Sequence, residues 1–166
     1  VDDLGTVTKV DDGWEVRFER RYPHPVEAVW SAITDPAQTE AWWGRLDELD
    51  LREGGAFVLT WLNEGGPTMT ARIAELDPPR LLVLDGDVHG RLRFDLAPDG
   101  GGTRLTFRST LPAEPAAEHL GMQVGWPENL AGWHWHLDAL GAALRGEHRD
   151  FGMDEWEVFR AAYRAS

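Results

Sequence analysis

Trp126-Pro127-Glu128-Asn129-Leu130-Ala131-Gly132-Trp133-His134-Trp135-His136-Leu137-Asp138-Ala139-Leu140-Gly141-Ala142-Ala143-Leu144-Arg145 is the stretch that decides the fold. Trp126, Leu130, Trp133, Leu137, Leu140 and Leu144 step by 4, 3, 4, 3 and 4 residues. At about 100° per residue these side chains fall on one narrow stripe of a helix. Gly146 is a natural stop. A helix this long with so apolar a stripe needs a surface to lie against, and the chain before it supplies strands.

Working back from the helix, Leu105 and Phe107 alternate with Arg104, Thr106 and Arg108, and Leu92, Phe94 and Leu96 alternate with Arg91, Arg93 and Asp95. Period-two alternation marks half-buried strands, and Pro98-Asp99-Gly100-Gly101-Gly102 between them reads as a hairpin loop. Further strands are expected at 80–85, 69–76 and 56–62, separated by Asp77-Pro78-Pro79 and Gly65-Gly66-Pro67. The 56–62 run is apolar on both faces; its larger set, Phe57, Leu59 and Trp61, is assigned inward. Trp14 to Tyr22 alternates as a first strand. Val26, Val29, Trp30 and Ile33 then form a short helix, and Ala37 to Trp43 a second. Residues 112–123 read as a loop with a helical turn, and 154–164 as a last short helix. Hairpin-linked strands imply an antiparallel sheet, and its apolar face needs cover. The expected class is α+β: a curved antiparallel sheet wrapped around the long C-terminal helix, with two short helices after the first strand. The gap between sheet and helix is where such a fold places a small ligand.

Length and composition fit this reading. A chain of 166 residues with 42% hydrophobic content suits one domain, expected to span 1–166, with one core. Nine tryptophans are many for a core this size; the surplus suits a cavity or an interface, with plain packing of all nine as the alternative. A formal charge of −13 opposes binding to nucleic acid or to an anionic membrane surface. Without cysteine, disulfides, thiolate nucleophiles and cysteine-type zinc sites are excluded. Val1-Asp2-Asp3-Leu4-Gly5 has neither the basic nor the apolar region of a signal peptide, and no apolar run has the length of a membrane helix. The expectation is a soluble, cytoplasmic protein without membrane or nucleic-acid partners.

A family resemblance supports the fold. Arg20-x4-Pro25-x-Glu27-x-Val29-Trp30-x-Ala32-Ile33-Thr34-Asp35-Pro36, followed by Trp42-Trp43-Gly44, resembles the N-terminal signature of the START-like (SRPBCC) superfamily. Within it the chain resembles the branch named after the activator of the 90-kDa heat-shock chaperone's ATPase. Ala71–Leu76 with Asp77-Pro78-Pro79-Arg80-Leu81, Gly102-Thr103-Arg104-Leu105-Thr106 and Gly132-Trp133-x3-Leu137-Asp138-x-Leu140-x3-Leu144 resemble its later landmarks. The match runs from about residue 14 to 163. It implies the helix-grip (START-like, Bet v 1-like) fold. Superfamily members include lipid carriers, polyketide cyclases, hormone receptors and co-chaperone domains. Many relatives carry a histidine late in the last strand; Ser109 stands at the matching position.

The candidate ligand-binding residues are Trp30, Phe57, Trp61, Trp126, Asn129, Trp133, His134 and Leu137. Trp133 lies at the centre of the helix stripe, with Trp126 and Leu137 on the same stripe, and Trp30, Phe57 and Trp61 are expected to face it. Each also reads as ordinary core. Asn129 and His134 lie about 60° and 80° off the stripe, where a cavity's few polar groups sit. The bland alternative for both is a solvated flank. His134 and Asp138, four apart, form a candidate general-base pair, with Asp85 and His89 as looser extras. No metal is expected: His134 and His136 point about 200° apart, and no His-x3-His occurs. No glycine pair has the strand–loop–helix context of a phosphate loop, so no cofactor is expected. Trp135 points away from the stripe, covered either by Trp156, Phe159 and Tyr163 or by a second subunit or partner.

Three functions follow: binding of a small hydrophobic or aromatic ligand (lipid or metabolite), a cyclase- or hydrolase-type enzyme acting through polar groups in the cavity, or a chaperone-interacting module. A homodimer or a chaperone partner is compatible with the third.

Overall fold

In the computed structural model, residues 2–11, 13–62, 66–86, 90–112 and 126–165 are described. Strands β1 (Thr6–Val10) and β2 (Gly13–Tyr22) form a hairpin, followed by helices α1 (Val26–Thr34) and α2 (Pro36–Thr39). Strands β3 (Gly44–Leu49), β4 (Ala56–Trp61), β5 (Thr68–Asp77), β6 (Leu81–Asp85), β7 (Arg91–Asp99) and β8 (Gly102–Pro112) then run as an antiparallel meander. Helices α3 (Trp126–Leu144) and α4 (Met153–Ala165) complete the order. The sheet has eight strands in the order β1-β2-β8-β7-β6-β5-β4-β3, so the chain's first hairpin pairs with its last strand. This curved, open sheet gripping a long helix is the expected α+β helix-grip fold.

Alternation sorts the faces. Val16, Phe18 and Tyr22 on β2, Leu92, Phe94 and Leu96 on β7, and Leu105 and Phe107 on β8 are buried on the concave side. The odd set of β4 does face inward, with Phe57 and Leu59 fully buried. On the other face, Arg108 reaches Glu15 at 3.9 Å and Asp95 at 3.5 Å, while Arg91 reaches Asp85 at 3.0 Å. These surface pairs, half-buried or exposed, contribute little singly, but they keep opposite charges on adjacent strands.

Several expected bounds moved. Helix α2 ends at Thr39, four residues short of the expected Trp43. Asp35 caps it by accepting from the Ala37 amide at 3.0 Å, and the chain then turns so that Trp42 and Trp43 are both fully buried. Strand β1 was not expected, because Thr6-Val7-Thr8-Lys9-Val10 carries only two apolar residues; its register against β2 supplies the order. The loop expected at 112–123 (from Ala113 onward) and His89 lie outside the described residues.

Helix α3 is buried around most of its circumference. Beyond the stripe, Ala131, His134, Trp135, His136, Ala139 and Ala142 are buried too. Helix α4 packs against its far side, which explains the wide burial. Trp135 is fully buried inside the molecule, as the first of its two alternatives required, but its ring partner is Phe151 at 5.0 Å, with the Arg149 guanidinium 5.9 Å from the ring. Phe159 and Tyr163 pack instead on His134. The turn before α4 therefore covers Trp135, and the helix itself covers its neighbour.

Candidate functional site

Glycine at position 44 fixes the first side chain of the site. A Cβ there would lie 2.3 Å from the Thr60 carbonyl oxygen, so only glycine lets β3 start this close to β4. That start turns Trp43 into the sheet's concave side. Its ring meets Phe57 at 5.3 Å, Trp61 at 6.2 Å, Phe94 at 5.5 Å and Trp133 at 5.9 Å. Trp133 comes down from α3 onto Phe107, with ring centroids 4.1 Å apart, and meets Trp61 at 5.5 Å. Six aromatic rings from the turn after α2, β4, β7, β8 and α3 thus converge on one place. Of these, Trp61, the last residue of β4, is half-buried and the others are buried.

His136 joins this nest, 5.2 Å from Trp61 and 5.8 Å from Trp133. Its Nδ1 lies 2.7 Å from the Trp42 carbonyl oxygen. A carbonyl only accepts, so Nδ1 carries the proton and, in the neutral ring, Nε2 is an acceptor. Burial pushes its pKa down to about 4, against a smaller upward pull from that hydrogen bond. The imidazole is therefore neutral at pH 7.

Trp43 Nε1 in the nest and Ser109 Oγ on the inward face of β8 are buried polar atoms with no hydrogen-bond partner among the described residues. Ser109 is fully buried and sits two residues beyond Phe107 on the same face of β8. Unpaired buried polar groups cost about 1–3 kcal/mol each and are uncommon in finished cores.

The expected site residues divide. Phe57, Trp61 and Trp133 are in the nest. Trp30 is buried on α1 and has no ring contact with it among the described residues. Trp126 packs half-buried against the core at the start of α3, and the buried Oδ1 of Asn129, one turn later, has no hydrogen-bond partner among the described residues. His134 lies on another flank, not solvated but only 2% exposed. Its ring stacks on Phe159 at 4.2 Å and its Nδ1 is 2.7 Å from the Tyr163 hydroxyl. Its Nε2 lies 3.6 Å from Asp138 Oδ2, so the spacing brings the two side chains close but without a hydrogen bond. Burial, followed by the charge of Arg20, pushes the His134 pKa down to about 4. Burial raises that of Asp138 against the pull of Arg20. Leu137 is buried, and its carbonyl accepts from the Tyr22 hydroxyl at 2.9 Å. Asp85 is exposed and paired with Arg91, away from His134.

Trp43, His136 and Ser109 were not among the candidates. For His136 the signal is its place three residues after Trp133, which puts it on a flank of the same stripe. Trp43 carries no comparable signal, because a tryptophan in a turn belongs to no helical or strand period.

Elsewhere, a groove of about 420 Å³ between α1, α2 and the end of α3 is lined mainly by alanines. A second, of about 330 Å³, lies where the end of β2 meets the C-terminal half of α3. Among the described residues no helix is long and apolar enough to cross a membrane, and no three His, Asp or Glu side chains converge as metal ligands.

Comparison with known proteins agrees with the architecture. The crystal structure of CalU16 from Micromonospora echinospora superposes with a TM-score of 0.71 at 27% identity, over 98% of this chain and 93% of that one. EF2215 from Enterococcus faecalis, a conserved protein of unknown function, gives 0.75 at 16% identity over 97% and 88%. DynU16, a protein of the dynemicin biosynthetic locus, gives 0.67 at 23% identity, with 86% of this chain covering 52% of that chain. No curated protein matches the sequence. The shared fold is in general a ligand-binding one. The model of the family described as "Activator of Hsp90 ATPase homolog 1-like protein" matches residues 23–144; with the fold and the N-terminal signature already in hand, the chain belongs to that family.

Proposed function

We propose that the protein binds a small, flat, aromatic molecule carrying a hydroxyl or similar polar group, between α3 and the concave face of the sheet. One observation carries the reading: two buried polar atoms without a hydrogen-bond partner among the described residues, Trp43 Nε1 within the aromatic nest and Ser109 Oγ two residues beyond Phe107 on the same face of β8, between Val16 and Leu92. A ligand with an apolar ring and one polar substituent satisfies both features, through stacking and through a hydrogen bond to Ser109, to Trp43 or to the acceptor nitrogen of His136. Trp61, the half-buried ring, is the side chain that swings to admit it. The reading extends over residues 1–166 as one domain with one internal site, and Trp30, Trp126, Asn129 and Leu137 support the wall without touching the ligand's ring.

The test is a titration with 2-naphthol and with naphthalene, followed by tryptophan fluorescence and melting temperature. The reading expects saturable quenching and a higher Tm with 2-naphthol, weaker effects with naphthalene, and loss of that preference in Ser109→Ala. If neither compound quenches or stabilises, the proposal fails.

A further inference from the structure

The groove of about 330 Å³ beside Tyr22 uses none of the residues of the aromatic nest, and its chemistry is opposite. In a chain with formal charge −13, its walls carry four arginines, Arg20, Arg21, Arg145 and Arg149, against two carboxylates, Asp3 and Asp138. Three of the arginines are tied to carboxylates outside the groove: Arg21 to Asp99 at 3.3 Å, Arg145 to Glu147 at 3.2 Å, and Arg149 to Glu155. These pairs are at the surface, hold weakly, and exchange for a better anion at little cost.

Arg20 differs. It is only 7% exposed and is held over the Phe18 ring at 5.2 Å. Its Nη1 donates to the Asp3 carbonyl. Its Nε and Nη2 make no hydrogen bond among the described residues; the nearest carboxylate oxygen, Asp138 Oδ1, is 3.6 Å from Nη2. A guanidinium has five N–H donors in a fixed fork, and a buried one with an unfilled edge is costly. Asp138 itself is one-third exposed and lies on the groove wall. It is therefore a loose partner placed where an incoming anion can replace it.

We propose that this groove is a second site, which takes the oxyanion group of a small molecule, a carboxylate or a phosphate, with Arg20 as its buried anchor, Arg145 and Arg149 closing over the outer oxygens, and Asp138 as the carboxylate the ligand displaces. Bidentate contact with the Arg20 fork is the geometry that favours planar or tetrahedral oxyanions over halide.

The experiment is a titration of the full chain, followed by amide NMR shifts, with inorganic phosphate and separately with acetate, against chloride at matched ionic strength. Saturable shifts at Arg20, Asp138, Gly141 and Arg145 with phosphate alone assign a phosphate site; with acetate alone or with both, a carboxylate-accepting one. Asp138→Asn, which removes the competing carboxylate, tightens binding by about fivefold. The surface double variant Arg145→Gln/Arg149→Gln loosens it about tenfold, and it keeps the test open should Asp138→Asn fold poorly. Shifts that match chloride, or affinity in the double variant equal to that of the parent, overturn the proposal. Neither result bears on 2-naphthol binding, which reads out at the tryptophans.

Discussion

At the scale of single residues, close approach and unmet hydrogen bonding make the sharpest predictions. Gly44→Ala places a methyl group 2.3 Å from the Thr60 oxygen and 2.7 Å from Leu59 Cδ2. Neither the ladder backbone nor a fully buried leucine has room to retreat. The substitution should cost about 1–3 kcal/mol, read as a lower midpoint in urea unfolding with unchanged slope. Ser109→Ala should do the reverse. It removes a buried hydroxyl that has no partner among the described residues and keeps the Cβ, so Tm in the absence of ligand rises by about 2–4 °C. A fall in Tm would show that the hydroxyl is satisfied, and would remove one of the two polar groups on which the proposed ligand depends. Among single residues, the sequence pointed to Trp133, Phe57 and Trp61 because helical and strand periodicity report facing direction. It passed over Trp43 and Ser109, since a turn tryptophan and a strand serine acquire meaning only from what lies across the interior.

At the scale of elements, α3 is the hub and α4 is its outer cover. Tyr163 shows how the cover is fastened: its hydroxyl accepts from the Gly5 amide at 2.9 Å and meets His134 Nδ1 at 2.7 Å. One hydroxyl thereby ties the N-terminal segment, α3 and α4 together. Tyr163→Phe leaves the Gly5 amide without this acceptor and should cost about 1–3 kcal/mol. The loss should appear as faster amide exchange in residues 3–5 and in α4, with the meander unaffected. Uniform acceleration across the sheet would contradict this division. The sequence made α3 plain through its stripe and suggested the α4 cover through Phe159 and Tyr163. The identity of each partner was hidden, because the turn at 146–152 places Phe151 rather than α4 over Trp135.

At the scale of the whole molecule, two buried imidazoles couple stability to pH. Burial holds His134 and His136 near pKa 4 in the folded state, while unfolded histidine titrates near 6.5. Between those values the unfolded chain binds protons that the folded chain refuses, so stability falls as pH drops from about 6.5 toward 4. Asp138 acts in the opposite sense: burial raises its pKa, so the folded chain takes up that proton first on acidification. With two imidazoles against one carboxyl, Tm should decline steadily between pH 6.5 and 4.5. His136→Gln, where folded, should flatten the decline, and an equal slope in parent and variant would show that His136 is not held neutral.

The sequence by itself determined the fold class, the order of most elements and the family, because these rest on local periodicity, turn chemistry and a motif spread along the chain. It also determined that His134 and Asp138 lie close, since four residues on a helix is one turn. Only the tertiary structure decided which side chains share a space. It split the predicted site, sending His134 to the α4 side and Leu137 to the Tyr22 side. It brought Trp43, His136 and Ser109 to the concave face from three separate elements. It gathered four arginines into one groove on an acidic protein. Such groupings depend on how an eight-stranded sheet curves around one helix, and that curvature comes from long-range strand register and packing, which no local pattern encodes.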